Sequence, residues 1–420
     1  MQKIIFHIDV NAAFLSWEAA YQIHILGEEL DLRLLPSAVA GDVKKRHGII
    51  LAKSTPAKRY GIRTGDTLSD ALKLCPNLHI VPPHYDLYDR CSKAFMEILS
   101  EFSDHVEPYS IDEAYVDMSG TSGLFGDFLT AAHMMKDKIR DELGFTVNVG
   151  VSNNKLLAKM AGDFRKPDMV HTLFPDEVPQ KMWPLPVGDL LYVGHATKHK
   201  LYNLGILTIG DLARSDLKLL CSHFGKIGEI LYAWANGIDL APVIDQAPAN
   251  KGYGNSTVIA FDVDRKDAAK MVLLSLTETV AARLRSDQVM ISVVAINIVY
   301  TDFSHVSHQM TLYSPTDITY EIHRAACRLF DEAWDGSPVR NLGIHTSKVS
   351  SASSIRQLNM FDMDKYEKLA KLDQAVDNIR KRYGNDAIKR AIFINNPIYH
   401  MSGGISQEKK RTTYEGGILE

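Results

Sequence analysis

Two adjacent acids, Asp112 and Glu113, interrupt Pro108-Tyr-Ser-Ile-Asp-Glu-Ala-Tyr-Val-Asp-Met118, a stretch that otherwise reads as a β-strand. Tyr115, Val116 and Met118 favour a half-buried sheet surface, whereas an ionised carboxylate drawn toward that surface loses hydration worth several kcal/mol unless a cation or donors replace it. An edge-strand charge pair in water would also account for them. A second strand argues otherwise: Lys3-Ile-Ile-Phe-His-Ile-Asp9 delivers a third acid at its end, where the helix-like segment Ala12 to Ile25 begins. Successive side chains on a strand point to opposite faces, so Asp112 and Glu113 reach one ion together only at a turn or strand end, which ranks Asp112 first. Three hard oxygen ligands without His or Cys suit magnesium or manganese, ions usually completed by substrate phosphates. Carboxylates so close repel one another, so metal binding should tighten as pH rises.

The elements that must position these acids can be read from periodicity. Tyr85 to Phe102 places Leu87, Cys91, Phe95, Ile98 and Phe102 on one helical stripe; the acidic hairpin follows, then a helix from Phe128 to Leu143 and a strand from Phe145 to Val151. Strand, helix, paired strands, helix and strand predict an antiparallel sheet backed by helices, as in ferredoxin-like folds. Gly150-Val-Ser-Asn-Asn-Lys155 opens a helix from Leu156 to Phe164 that ends at Arg165-Lys166-Pro167. Between Lys44 and Arg63 stand Lys44, Lys45, Arg46, Lys53, Lys58, Arg59 and Arg63 with no acid among them, an anion-binding surface that a triphosphate would neutralise. Residues 173 to 243 read as short helices joined by glycine turns, and Leu240 to Gly254 as a linker. Beyond it the predicted order is strand 255–261, helix 264–286, strands 288–300 and 306–313, helix 316–333 and strand 339–348. Ser350 to Arg356 reads as a polar, mobile segment, and Asp364 to Tyr383 as a helix with no assigned role.

Composition sets the boundaries. A chain of 420 residues, 45% hydrophobic and 23% charged, is that of a globular protein with several cores. Cys75, Cys91, Cys221 and Cys327 are scattered without CxxC spacing, against a zinc site or disulfide framework and for a reducing cytoplasm. Val289 to Val299, the most apolar run, is too short for a bilayer, so no membrane partner is expected. A net charge of −4 looks wrong for a nucleic-acid binder, so any cationic surface must come from segregation.

Asp9-Val-Asn-Ala-Ala-Phe14 and Tyr109-Ser-Ile-Asp-Glu-Ala114 resemble the two acidic motifs of Y-family translesion DNA polymerases, and the similarity extends over essentially the whole chain. The pattern looks nearest the catalytic subunit of bacterial polymerase V and its Gram-positive UV-damage-repair relatives, with polymerase IV more distant. That resemblance implies an α+β multidomain right hand: a ferredoxin-like palm (1–25 and 79–172), small fingers (26–78), a helical helix-hairpin-helix thumb (173–243), a linker (244–254), a βαβ-βαβ little finger (255–349) and a tail (350–420). It implies error-prone, template-directed synthesis by two magnesium ions, with manganese able to substitute. Asp9 and Asp112 would bridge the ions, Glu113 would complete the site for the primer 3′-hydroxyl, and the Val10 carbonyl would add a ligand. Phe14 would be the steric gate under the sugar, beside Ala13 where many relatives carry a second aromatic. Thr55 and Lys58 would grip the nucleotide; polymerase IV relatives carry Tyr and Arg there, and Lys lacks the bidentate fork. Lys166 would bind phosphate. In Leu185 to Gly194, Tyr192 stands where the thumb hairpin usually has its first glycine, which weakens the expected backbone contact. Gln357, Leu358, Met360 and Phe361 match the motif by which replication proteins dock on the sliding clamp. Implied partners are primer-template DNA, a deoxynucleoside triphosphate, the clamp, and an accessory subunit or recombinase filament. Two other classes share these features. A nucleotidyl cyclase would turn over a nucleoside triphosphate without primer or template, and a catalytically weakened scaffold would bind DNA and clamp alone.

Overall fold

The computed structural model describes residues 3–42, 48–244, 249–352 and 363–401. They form two units: 3–40 with 50–244, and 41–42, 48–49, 249–352 and 363–401.

The first unit is built on a five-stranded sheet in the order β5-β6-β1-β7-β8, comprising β1 Ile5–Val10, β5 Val106–Pro108, β6 Glu113–Asp117, β7 Val147–Ser152 and β8 Val170–Thr172. β1 pairs antiparallel with β6 and β7, and β7 pairs parallel with β8. The period-2 pattern sorts its side chains. Phe6, Ile8 and Val10, with Ala114, Val116, Val147, Val149 and Val151, enter a core closed by α1 Ala13–His24, α4 Tyr85–Ser100 and α6 Phe128–Leu143. The opposite face carries Ile5, His7, Asp9, Glu113 and Tyr115, and α7 Lys155–Gly162 lies across it, with Ala158 packed on Ile5 and Tyr115.

Local chemistry starts and stops these helices. Asp127 caps α6 by accepting from the Leu129 and Thr130 amides, and Gly144 ends it at φ 72°. Asn154 caps α7 through the Leu157 amide at 2.9 Å. What seats α7 is a glycine: a Cβ on Gly150 would stand 1.9 Å from the Ala158 carbonyl oxygen and 2.4 Å from the Gly162 nitrogen.

A three-stranded sheet, β3-β2-β4 (β2 Ser37–Ala40, β3 Ile50–Lys53, β4 His79–Val81), holds α2 Thr55–Arg59 and α3 Leu68–Leu74. A small helix, α5 Ser122–Phe125, precedes α6. The unit closes with α8 Val178–Lys181, α9 His195–Asn203, α10 Ile209–Ala213, α11 Leu217–Phe224 and α12 Lys226–Ala235, around a core that includes Leu201, Ile209, Leu220 and Leu231.

In the second unit β9 Gly252–Val263, α13 Lys266–Ser286, β10 Val289–Tyr300, β11 His305–Thr316, α14 Thr319–Ala333 and β12 Val339–Ser351 follow one another, and the sheet order is β11-β10-β12-β9. Two expectations change. β12 continues through Ser350 and Ser351, which pair with Met290 and Val289, so the chain leaves the sheet later than its polar composition suggests. The helix without an assigned role, α15 Met363–Tyr383, and the residues after it join this unit's core, where Phe393 and Ile398 are buried. Buried Glu278 receives Arg380 at 2.6 Å and also Arg390, and Arg285 meets Asp377 at 2.5 Å and Asp373 at 3.2 Å. Such ion pairs join residues about a hundred positions apart, which periodicity does not register.

Gly150→Ala should lower the unfolding free energy by about 1–3 kcal/mol, because the atoms in its way are backbone and α7 must shift. Urea denaturation checks this, and an unchanged midpoint would mean that α7 is not seated on Gly150.

Candidate active site

The antiparallel register sets Asp9 directly across from Glu113, and the Val10 amide donates to the Asp112 carbonyl at 3.0 Å, tying the end of β1 to the turn before β6. Because Asp112 lies in that turn and Glu113 is the first strand residue, their side chains part. Asp112 lines a cavity of about 340 Å³ with Asp9, Val10, Ala12, Ala13, Phe14, Leu51, Ala52, Lys53 and Thr64. Glu113 remains on the face under α7.

Both strand acids meet cations. Glu113 pairs with Lys159 and accepts from His7 Nε2 at 3.1 Å. Burial alone would raise the Glu113 carboxyl, but the His7 and Lys159 hydrogen bonds and the Lys159 charge outweigh it and hold it down to about 2. Burial pushes the His7 imidazole down, so the neutral ring donates through Nε2, and its buried Nδ1 has no hydrogen-bond partner. Asp9 pairs with Lys166, which also reaches Asp163 at 2.9 Å. Burial still pushes the Asp9 carboxyl up in spite of that lysine, while the Asp9 charge lifts Lys166 against the drag of burial. Lys166 thus offsets only part of what burial costs the Asp9 carboxylate.

Lys166 is delivered by a buried amide relay. Asn11 Nδ2 donates to Asn148 Oδ1 at 3.1 Å, and Asn148 Nδ2 donates to the carbonyls of Gly162 (3.0 Å) and Arg165 (2.7 Å). The Asp168 amide donates to Asn11 Oδ1 at 2.9 Å. The segment around Lys166 is thus hydrogen-bonded on both sides, to Asn11 just past β1 and to Asn148 on β7.

Phe14 projects from the first turn of α1 and stacks on Tyr88, with ring centroids 4.4 Å apart and 7° between planes. The Tyr88 hydroxyl donates to Glu18 at 2.7 Å, and Glu18, completely buried, also meets His84 Nδ1 at 3.0 Å. The Glu18 hydrogen bond raises His84 against a smaller opposing effect of burial.

Of the residues singled out by sequence, the structure gathers Asp9, Val10, Ala13, Phe14 and Asp112 on one cavity and brings Lys166 to its edge through Asp9. Glu113 is adjacent but turned away. Thr55 and Lys58 lie exposed on α2 and do not line the cavity; its wall is formed by Lys53, 3.1 Å from Thr64 Oγ1. Lys44, Lys45 and Arg46, and the motif Gln357, Leu358, Met360 and Phe361, lie outside the described residues. Thr64 and His7 carry no signal in the sequence that marks them for the site. Lys53 stood in the basic run, and the alternation of β3 could have aimed it. Among the described residues no three His, Cys, Asp or Glu side chains stand together as a ready metal site. No described helix is long and apolar enough to cross a membrane.

The sequence and the fold can both be compared with known proteins. The family model described as impB/mucB/samB family matches residues 8–163, the model of that family's C-terminal domain matches 250–360, and one described as DNA polymerase-iota, thumb domain, matches 188–239. The chain is 42% identical over 395 residues to a protein named DNA polymerase IV from Clostridium acetobutylicum, covering 94% of this chain and 99% of that one. It is 37% identical over 398 residues to DNA polymerase IV 2 of Bacillus subtilis, covering 93% and 94%. A solved Y-family DNA polymerase chimera shares the fold, with a TM-score of 0.69 at 20% identity over 82% of this chain and 99% of that one. Both bacterial relatives carry the polymerase IV name, not that of the polymerase V catalytic subunit to which the acidic motifs looked nearest.

The support behind Phe14 should be pH-dependent. His84 is raised above its ordinary 6.5, so its pairing with Glu18 contributes fully below about pH 6.5 and is lost as pH rises through the higher folded value. The melting-temperature gap between wild type and Glu18→Gln should therefore be widest in mild acid and narrow in alkali. A gap constant with pH would exclude the charged pair.

Proposed function

The chain belongs to the Y family of DNA polymerases, and from that premise we propose that it is a translesion enzyme that adds deoxynucleotides to a primer 3′-hydroxyl on a template and releases pyrophosphate. The observation that carries the reading is the single cavity shared by Asp9, Asp112 and Phe14: one carboxylate from β1, one from the turn before β6, and an aromatic ring from the first turn of α1.

The donor set fits divalent metal. Asp9, Asp112 and the Val10 carbonyl are hard oxygens on one cavity, and Asp9 carries a burial cost that Lys166 does not offset. These residues would hold two magnesium ions, with manganese able to replace them. Bound there, the ions supply Lewis-acid polarisation of the α-phosphate and activation of the primer hydroxyl. The chain's own side chains do the rest. Lys166 and Lys53 face the space a triphosphate would occupy, and each can exchange its present partner for a phosphate oxygen. Thr55 and Lys58 reach the nucleotide only if α2 closes over it. Phe14, braced by Tyr88, lies under the sugar and excludes a 2′-hydroxyl, while Ala13 leaves room beside it. Glu113 completes the site for the primer hydroxyl when His7 and Lys159 release it.

In this reading the five-stranded sheet is the palm, the three-stranded sheet the fingers, the helices after Thr172 the thumb and the second unit the little finger. The thumb and little finger hold primer-template DNA. Gln357, Leu358, Met360 and Phe361 dock the chain on the sliding clamp, Gln357 through hydrogen bonds and the others in an apolar pocket. Error-prone bypass within a damage response, assisted by an accessory subunit or recombinase filament, extends the same reading.

Primer extension on intact and abasic templates tests it. Wild type should extend only with magnesium or manganese, and Asp112→Asn should cut the rate by ~10³-fold or more. Extension by Asp112→Asn at the wild-type rate would remove that residue from the chemistry. A folded wild type that binds primer-template without extending it would favour the weakened scaffold. Phe14→Ala should bring the incorporation rates of ribonucleotides and deoxyribonucleotides together by at least ~10-fold. An unchanged ratio would reassign Phe14 to the core.

A further inference from the structure

Tyr192 adopts φ 62°, a left-handed conformation that glycine enters freely and a bulky aromatic residue rarely does. It sits in the turn between Leu190 and Gly194, immediately before α9, and is 64% exposed, so burial does not explain an aromatic residue there. Two contacts accompany the unusual backbone. The ring lies against Trp234 of α12, with centroids 5.3 Å apart, and the hydroxyl shares a 2.5 Å hydrogen bond with that of Tyr109. Left-handed conformers held in place by such contacts point to function.

Tyr109 belongs to the acidic turn. Its amide and that of Ser110 both donate to the Glu113 carbonyl, at 2.9 and 3.1 Å. Its ring meets Tyr115 edge-on at 5.5 Å, and the Lys159 ammonium that holds Glu113 lies 5.2 Å above it. Ser110, the next residue, donates to Asp112 Oδ1 at 2.6 Å. One phenol thus packs on Tyr115 and Lys159 beside the turn that carries Asp112 and Glu113, and the other packs on Trp234 of α12. Burial and the Tyr192 hydrogen bond push the Tyr109 phenol up to about 12, so its hydroxyl keeps its proton.

We propose that Tyr192 and Tyr109 form a clasp that fixes the acidic turn relative to the hairpin before α9, and that Tyr192 is thereby a positioning residue for the primer terminus. The inference rests on the polymerase reading above. The clasp assigns a role to the residue that replaces glycine in the hairpin: a tie between the element that would hold the primer backbone and the turn that would receive its 3′ end.

Tyr192→Phe and Tyr109→Phe each delete one hydroxyl and keep the ring. Each should lower kcat for correct extension by about 3- to 10-fold, with KM for the nucleotide nearly unchanged, and the double variant should be no slower than either single one. Tyr192→Gly removes the phenol and the left-handed penalty together. It should lose kcat in the same way while its melting temperature holds or rises, which a purely structural role would not produce. Wild type that fails to extend primers would sink the polymerase reading itself. Wild type that extends, with Phe variants that keep kcat or combine multiplicatively, would overturn the clasp alone.

Discussion

The arrangement depends on how two carboxylates are tolerated side by side on neighbouring strands. Asp9 and Glu113 are cross-strand partners on a face that α7 covers, and like charges placed so would drive the strands apart. Lysines prevent it. Lys159 comes from α7 itself and Lys166 from the segment just after it, so the helix that buries the acids also brings their counter-charges. Gly150 allows that helix to sit close enough, and the Asn11–Asn148 relay holds its exit. The same arrangement leaves Asp9 short of full compensation, a shortfall that a divalent ion would make good in the proposed reading. The site is therefore a consequence of how the sheet is covered.

A second constraint concerns Asp112. It escapes the face under α7 because the strand begins one residue later, so the turn directs it into the cavity where Phe14 and Lys53 stand. A carboxylate in the turn and one on the strand can answer to different partners although they are adjacent in sequence. Phe14 is fixed in the same spirit, its ring stacked on Tyr88 and that tyrosine anchored on buried Glu18. Specificity toward a sugar would rest on a ring that cannot recede.

Much of this was legible beforehand because it is local. Alternation along Ile5–Val10 and Glu113–Asp117 and the helical stripe from Leu87 to Phe102 depend on residues a few positions apart. The α15 segment did not declare its place, since Asp373, Asp377 and Arg380 find their partners on α13 and its neighbours from about ninety to a hundred residues away.

Sequence by itself determined which residue types could do chemistry, the strands that end in acids, and a family resemblance strong enough to name an activity. Those follow from composition and short-range spacing, which the chain carries whether folded or not. Only the tertiary structure decided that Asp112 shares the cavity with Asp9 while Glu113 is held by His7 and Lys159. It likewise set Lys53 rather than Lys58 in the wall, and joined Tyr192 to Tyr109 across 83 residues. Each of these is a contact between distant segments, set by register, helix seating and burial, and such contacts exist only once the sheet has been covered.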